Sequence, residues 1–265
     1  MEIKFHFKID NLKTKVLLDR EELGKEAAFD LAARIKELHK IKNELRIVFA
    51  AAPSQNEFLE QFVKHNIEWN RISAFHMDEY LGLWKNSHQL FSYYLKTNLF
   101  NKVKFKQVNY LNSVNDDNKL ECRRYADLLN EAPIDIVCMG IGENGHIAFN
   151  DPPVADFQDI ESVKIVELDP PCRQQQVNDG CFTSLKDVPK FALTLTIPAL
   201  MSADYLSVVV PGIRKAEAVY STLFNSITTE CPATILRTHN NVMLYTDEDS
   251  FSMAKKKLIS NKEEL

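Results

Sequence analysis

Apolar positions along the 265-residue chain change period repeatedly. From Asp19 onward, Leu23, Ala27, Leu31, Ile35 and Leu38 recur at helical spacing, which predicts a helix through about Lys40. Asp19 with Glu22 three residues later has the form of a capping box, with Asp in the Ser/Thr place. RIVFAAA (46–52) is then a short apolar run, the pattern of a parallel strand buried on both faces. NEFLEQFVKH (56–65) returns to helical spacing, with Phe58 and Phe62 one turn apart. RISAFHM (71–77) reads as the next strand. Ser87 is expected to cap a helix through about Phe100, and 120–131 reads as another helix. IDIVCMG (134–140), FALTLTI (191–197), YLSVVVP (205–211) and NVMLYT (241–246) are further strands, with helices from about 214 to 224 and from about 250.

Apolar strands alternating with helices predict an α/β fold, a three-layer sandwich around a mainly parallel, Rossmann-like sheet. No linker, repeat or low-complexity segment interrupts the chain, so 1–265 is expected to form a single domain. Open parallel sheets bind ligands beyond the carboxyl ends of their strands. Three segments are placed there: AAPSQN (51–56), MDEYLGL (77–83) and GIGENGHIAFNDPP (140–153).

The last of these holds three of the chain's seven glycines. Gly140, Gly142 and Gly145 spell G-x-G-x-x-G, a dinucleotide fingerprint that needs a helix directly behind it. Pro152 and Pro153 arrive seven residues after Gly145 and forbid a long helix there. The glycines instead read as a device that lets backbone approach a small ligand, with His146 and Asp151 directed into the same space. His146 is a candidate general acid/base. Asn144 and Asp151 flank it and are placed to fix its tautomer.

Asp78 and Glu79 stand side by side at a strand end, where neighbours point different ways. One is expected to face a substrate while the other makes a structural contact. The spacing leaves His76 open, as a strand residue or a second site group. Arg214 and Lys215 fall in a helix's first turn, where the helix dipole disfavours cations and an anion such as phosphate would offset them. No histidine–carboxylate spacing of a metal site occurs, and none is expected.

A net charge of −5 gives no footprint for nucleic acid or an anionic membrane, yet leaves room for a locally basic site. No stretch has the apolar length of a membrane span, and the first ten residues lack the apolar core of a signal peptide. Five cysteines without C-x-x-C spacing fit idle thiols in a reducing cytoplasm.

FHMDEYLGL (75–83), GIGENGHIAFNDPP, VPKFALTLTIPALMSA (188–203) and VVVPGIRKAEAV (208–219) together resemble glucosamine-6-phosphate deaminases (isomerases), a family that shares its fold with 6-phosphogluconolactonases. The resemblance is collinear from about Arg46 to Asp247. IAFN followed by an acid and proline matches the deaminase branch. It implies conversion of an amino-sugar phosphate, glucosamine 6-phosphate, to a ketose phosphate and ammonia. His146 matches the ring-opening histidine, Asp78 the enediol base, Asp151 the histidine's acidic partner and Lys215 a phosphate-binding lysine. No cofactor is implied, because the opened sugar's carbonyl acidifies the carbon 2 proton.

The sequence departs from the family pattern in four places. Asn144 replaces a carboxylate, and Asp151 is a methylene shorter than the usual glutamate. Ala52 and Pro53 replace phosphate-loop glycines, leaving Ser54, Gln55 and Asn56 to bind phosphate. Arg173 is the nearest candidate for a phosphate-binding arginine in DPPCRQQQVNDGCF (169–182). Gly142 and Gly145 complete the expected ligand contacts. The alternatives are a 6-phosphogluconolactonase-like hydrolase, an isomerase of another phosphosugar, or a catalytically silent sugar-phosphate-binding protein. The resemblance allows a homo-oligomer, from monomer to hexamer.

Overall fold

A computed structural model describes residues 3–114 and 117–263. Eleven strands and eight α-helices are formed among the described residues, joined by short 3₁₀ turns. The strands are β1 (Ile3–Ile9), β2 (Leu12–Leu17), β3 (Leu45–Phe49), β4 (Ile72–His76), β5 (Asp78–Tyr80), β6 (Gln107–Asn109), β7 (Ile136–Met139), β8 (Val163–Glu167), β9 (Phe191–Leu195), β10 (Tyr205–Val210) and β11 (Val242–Asp247). The helices are α1 (Arg20–His39), α2 (Asn56–Phe62), α3 (Phe91–Leu95), α4 (Asn118–Asn130), α5 (Pro170–Asn178), α6 (Ile197–Met201), α7 (Ala216–Phe224) and α8 (Ser252–Glu263).

Eight strands form one sheet in the order β1-β2-β11-β10-β7-β3-β4-β6. Every pairing is parallel except the β1–β2 hairpin. Alternate residues of a strand point to opposite faces. Ile136 and Cys138 of β7 therefore join one core with Ile47, Phe49, Val209 and Tyr245. Val137 and Met139 join the other with Val48, Val208, Val210 and Leu244. Helices α1 and α2 cover the first face, and α4, α7 and α8 the second, which makes the three layers. The unbroken apolar strands follow from burial on both sides.

Local signals set several boundaries. Asp19 caps α1, its carboxylate accepting the Glu22 N–H at 2.9 Å. Asp117 does the same for α4. Ser87 does not cap the following helix, as its hydroxyl bonds Gln89 instead. That helix begins at Phe91 and is a short α segment followed by a π turn, Lys96–Phe100. The apolar pattern leaves out several further parts, β1, β2, β6 and α6 among them. It also leaves out β5 and β8, which pair with the expected β9 in a small, entirely antiparallel sheet. It leaves out α5 as well, which starts on Pro170 and Pro171, where missing N–H groups cost nothing. Among the described residues no helix is long and apolar enough to cross a membrane.

The chain runs outward from β3 through β4 to β6, then returns to place β7 on the other side of β3 and continues through β10 to β11. The direction of winding thus reverses between β3 and β7, and a crevice opens there at the carboxyl ends.

Candidate active site

The ends of β3, β4, β7 and β10 all reach this crevice, and a pocket there is lined by Ser54, Asp78, Gly142, His146, Gln176 and Lys215 among others. Asp78 arrives because the chain changes sheets. It leaves β4 at His76 and enters β5 at Asp78, which pairs with Thr194 of β9. His76 fixes that corner. Its Nε2 accepts the Leu111 N–H at 2.9 Å, so its Nδ1 donates to the Asp78 carbonyl, also at 2.9 Å. Burial pushes this imidazole down to about 4, so it is a neutral structural residue.

The adjacent carboxylates divide their work. Glu79, fully buried, accepts N–H groups from Tyr80 and Phe91 at Oε1 and from Ser92 at Oε2. It therefore holds the start of α3. Burial raises its carboxyl to about 7, against the pull of those donors. Asp78 turns to the crevice with only 7% exposure, and among the described residues no group donates to its carboxylate. Burial, with Glu79 adding repulsion, pushes its carboxyl well above the ordinary range. A carboxylate held in that way is a strengthened base.

The loop after β7 closes on itself. The Gly142 N–H donates to the His146 carbonyl (2.9 Å) and the Gly145 N–H to the Gly142 carbonyl (3.0 Å). No helix follows, only a turn bridged between Ile147 and Asn150. The Asn144 amide orientation is fixed, because its Oδ1 accepts the His146 backbone N–H (3.1 Å) while its Nδ2 donates to Asp151 Oδ1 (2.9 Å). His146 Nδ1 lies 2.8 Å from Asn144 Oδ1 and 2.9 Å from Asp151 Oδ1. Between two acceptors Nδ1 carries the hydrogen, which leaves Nε2 to take or give a proton toward the crevice.

Asp151 is fully buried. Burial alone would raise its pKa, but the charge of His146 and the hydrogen bonds from His146 and Asn144 outweigh it, and it stays low. The Cys172 thiol of α5 stands beside this pair. His146, Asp151 and Cys172 bring one ligand atom each within 4.8 Å of the others, the single grouping of metal-ligand type among the described residues. Nδ1 and Asp151 Oδ1 are already joined to each other. Burial and the neighbouring Asp151 also push the Cys172 thiol well above its ordinary range, so it is protonated.

The glycines make room for the protein itself. A Cβ on Gly142 would stand 2.2–2.4 Å from three atoms of the His146 ring. Gly145 has φ +83°, and a Cβ there would meet Cys231 Sγ at 2.4 Å. Gly142 borders the crevice, whereas the crowding at Gly145 comes from Cys231. The sequence led us to expect space for a ligand at both.

Lys215 is 7% exposed and borders the crevice. Burial pulls its pKa down, against Asp179 and Glu143. Its ammonium makes no hydrogen bond or ion pair among the described residues. Arg214 is occupied by the Asn178 carbonyl, Asp179 and Glu143, so the expected basic pair presents one available cation. Ser54 and Gln55 border the crevice, but the Gln55 NH₂ group donates to Ser54 Oγ and the Val209 carbonyl. Asn56 does not join them. It is exposed and accepts from the Tyr94 hydroxyl at 2.7 Å. Arg173 is also elsewhere, held by the carbonyls of Leu185 and Val188 beside a separate pocket behind Asp151. Sequence reasoning missed Gln175 and Gln176, which border the crevice from α5. Without a predicted helix there, nothing marked which glutamines face inward.

The profile of the family described as glucosamine-6-phosphate isomerases/6-phosphogluconolactonase matches residues 18–245. A glucosamine-6-phosphate deaminase of Streptococcus agalactiae is 36% identical over 203 residues, 77% of this chain and 85% of the relative. One from Bacillus cereus is 33% identical over 233 residues, covering 88% and 86%. The solved structure of a monomeric glucosamine-6-phosphate deaminase superposes with a TM-score of 0.83 at 30% identity, over 91% of this chain and 99% of the other. The 6-phosphogluconolactonase of Thermotoga maritima shares the fold at 19% identity, TM-score 0.73, over 89% and 99%. With its profile, its relatives and its fold in agreement, this chain belongs to the glucosamine-6-phosphate isomerase/6-phosphogluconolactonase family.

Proposed function

We propose that the protein is an amino-sugar-phosphate deaminase/isomerase that converts glucosamine 6-phosphate and water to fructose 6-phosphate and ammonia. The observation that carries this reading is the convergence on one crevice of a donor-less buried carboxylate, the free nitrogen of an oriented imidazole, and an unpaired buried ammonium (Asp78, His146, Lys215). Lys215 takes the phosphate. His146 Nε2 moves the proton from the anomeric hydroxyl to the ring oxygen as the carbon 1–ring oxygen bond breaks and the carbon 1 carbonyl forms. Asp151 and Asn144 hold the imidazole and stabilise its charged form. Asp78 then takes the carbon 2 proton, made acidic by the new carbonyl, and returns a proton to carbon 1. The nitrogen is left as a carbon 2 iminium, which water hydrolyses to the ketone and ammonia. The five unpaired cysteines support a cytoplasmic setting. A monomeric relative makes the monomer our expected state.

The test is ammonium release from glucosamine 6-phosphate, beside its galacto and N-acetyl relatives and a 6-phosphogluconolactone. The expected result is ammonium in step with loss of deuterium from carbon 2. Lactone hydrolysis without ammonium from any amino sugar would replace this reading with the hydrolase.

A further inference from the structure

The cation sought in α5 is turned away, yet the same helix presents another polar group. Gln176 is 7% exposed, borders the crevice with Lys215, and makes no side-chain hydrogen bond among the described residues. Its neighbour Gln175 is fully engaged. Gln175 Oε1 accepts the Glu143 N–H at 2.8 Å, and Nε2 reaches Asp179 at 3.4 Å. The same contrast holds between Arg214, with three protein partners, and Lys215, with none among the described residues. Buried polar side chains are generally hydrogen-bonded, so an amide left open on the same crevice as an open ammonium marks a place built for a ligand's oxygen atoms.

We propose that Gln176 is a phosphate-reading residue, its amide N–H donating to a phosphate oxygen whose charge is met by Lys215. The phosphate is then held by one ammonium and one neutral amide, where Arg173 would have supplied a second cation. The assignment rests on the sugar-phosphate reading of the crevice. An amide recognises phosphate through geometry more than charge, because it adds a donor without adding to the field. Gln176→Glu keeps the shape and sets a carboxylate against the phosphate, which makes it the sharpest probe.

The measurement is calorimetric binding of a hexitol 6-phosphate and of the unphosphorylated hexitol to the full chain and to three variants. One hydrogen bond from an amide to a charged phosphate oxygen is worth roughly 10- to 100-fold, so Gln176→Leu should weaken the hexitol 6-phosphate by at least about tenfold. Gln176→Glu should weaken it on the order of 100-fold or more, since it adds like-charge repulsion to the lost donor. Gln176→Arg should bind it more tightly than the wild type, a gain that misfolding cannot produce. Hexitol binding should change little in all three. Unchanged hexitol 6-phosphate binding by Gln176→Glu, or equal losses for both probes, would overturn the assignment. Binding needs no turnover, so a wild type that holds the hexitol 6-phosphate but releases no ammonium would remove the deaminase reading and leave Gln176 in place.

Discussion

Asp78 shows how one side chain can trade stability for basicity. Its carboxylate is buried without a donor, so the neutral form is favoured and the ionised form is poised to take a proton. Asp78→Asn should lower turnover ~10²–10⁴-fold and leave ligand binding nearly intact, as measured by steady-state kinetics beside calorimetry. Near wild-type turnover would sink the assignment. The raised pKa also fixes a sign. Below the ordinary carboxylate range both folded and unfolded states are protonated, and the burial costs nothing. As pH rises past that range the unfolded state ionises first, and the folded state loses stability. Asp78→Asn should therefore melt higher than wild type at neutral pH, with the difference vanishing below about pH 4. Gly142 carries a second expectation at this scale. A Cβ there would displace the His146 ring, and a misplacement of about 1 Å costs on the order of 100-fold in rate. Gly142→Ala should lose activity to that extent while its circular dichroism stays native. The loop 140–153 was legible as chemically committed because so many glycines have a reason to be there. Which body fills the space they leave was not legible. A ligand and a neighbouring imidazole impose the same demand on the sequence.

Among the elements, the buried strands declared themselves, since short and largely apolar runs have few other uses. Of the small sheet only β9 did. β5 is only Asp78–Tyr80, two of its three residues acidic, and β8 is half exposed. β5 finds its partner in β9, more than 100 residues away, and no local period records that pairing. The start of α3 has the same character. Local signals pointed to Ser87, yet the N–H groups of Phe91 and Ser92 are taken by Glu79, twelve and thirteen residues earlier. This distant cap ties the strand that presents Asp78 to the helix beside it. Glu79→Ala would leave buried donors unpaired, at roughly 1–3 kcal/mol for each group stranded without water. We expect urea unfolding to show a loss at least that large, with turnover falling as the Asp78 corner loosens. Loss of stability with unaltered kinetics would show that the cap serves the helix alone. The α5 segment was missed for a simpler reason. Two prolines, an arginine and three glutamines carry no apolar rhythm, so the helix that supplies Cys172 and Gln176 left no pattern.

At the scale of the whole molecule, the two apolar layers share one sheet, and the crevice is assembled from the ends of four of its strands. No one segment owns the site. Ser54 comes from the turn after β3, Asp78 from the corner after β4, His146 from the loop after β7, and Lys215 from the turn after β10. A ligand that touches all four binds the folded chain and not the unfolded one, so its binding energy is added to the stability of the whole. We expect the described layers to melt in one cooperative transition. A sugar phosphate at 100 times its Kd should stabilise the fold by about 2.7 kcal/mol. For a chain of this size that is a shift in Tm of roughly 5–10 °C. Lys215→Ala should lose most of the shift at the same concentration, because it removes the available cation while leaving the sheet and loops in place. A nicotinamide dinucleotide should give no shift. The Gly142 and Gly145 N–H groups that such a ligand would need are donated within the loop, and no helix stands behind them to receive a pyrophosphate. Differential scanning calorimetry with the two ligands decides the matter. An equal shift with the dinucleotide would return the glycine fingerprint to its first meaning, and a sugar-phosphate shift untouched by Lys215→Ala would move the phosphate elsewhere in the crevice.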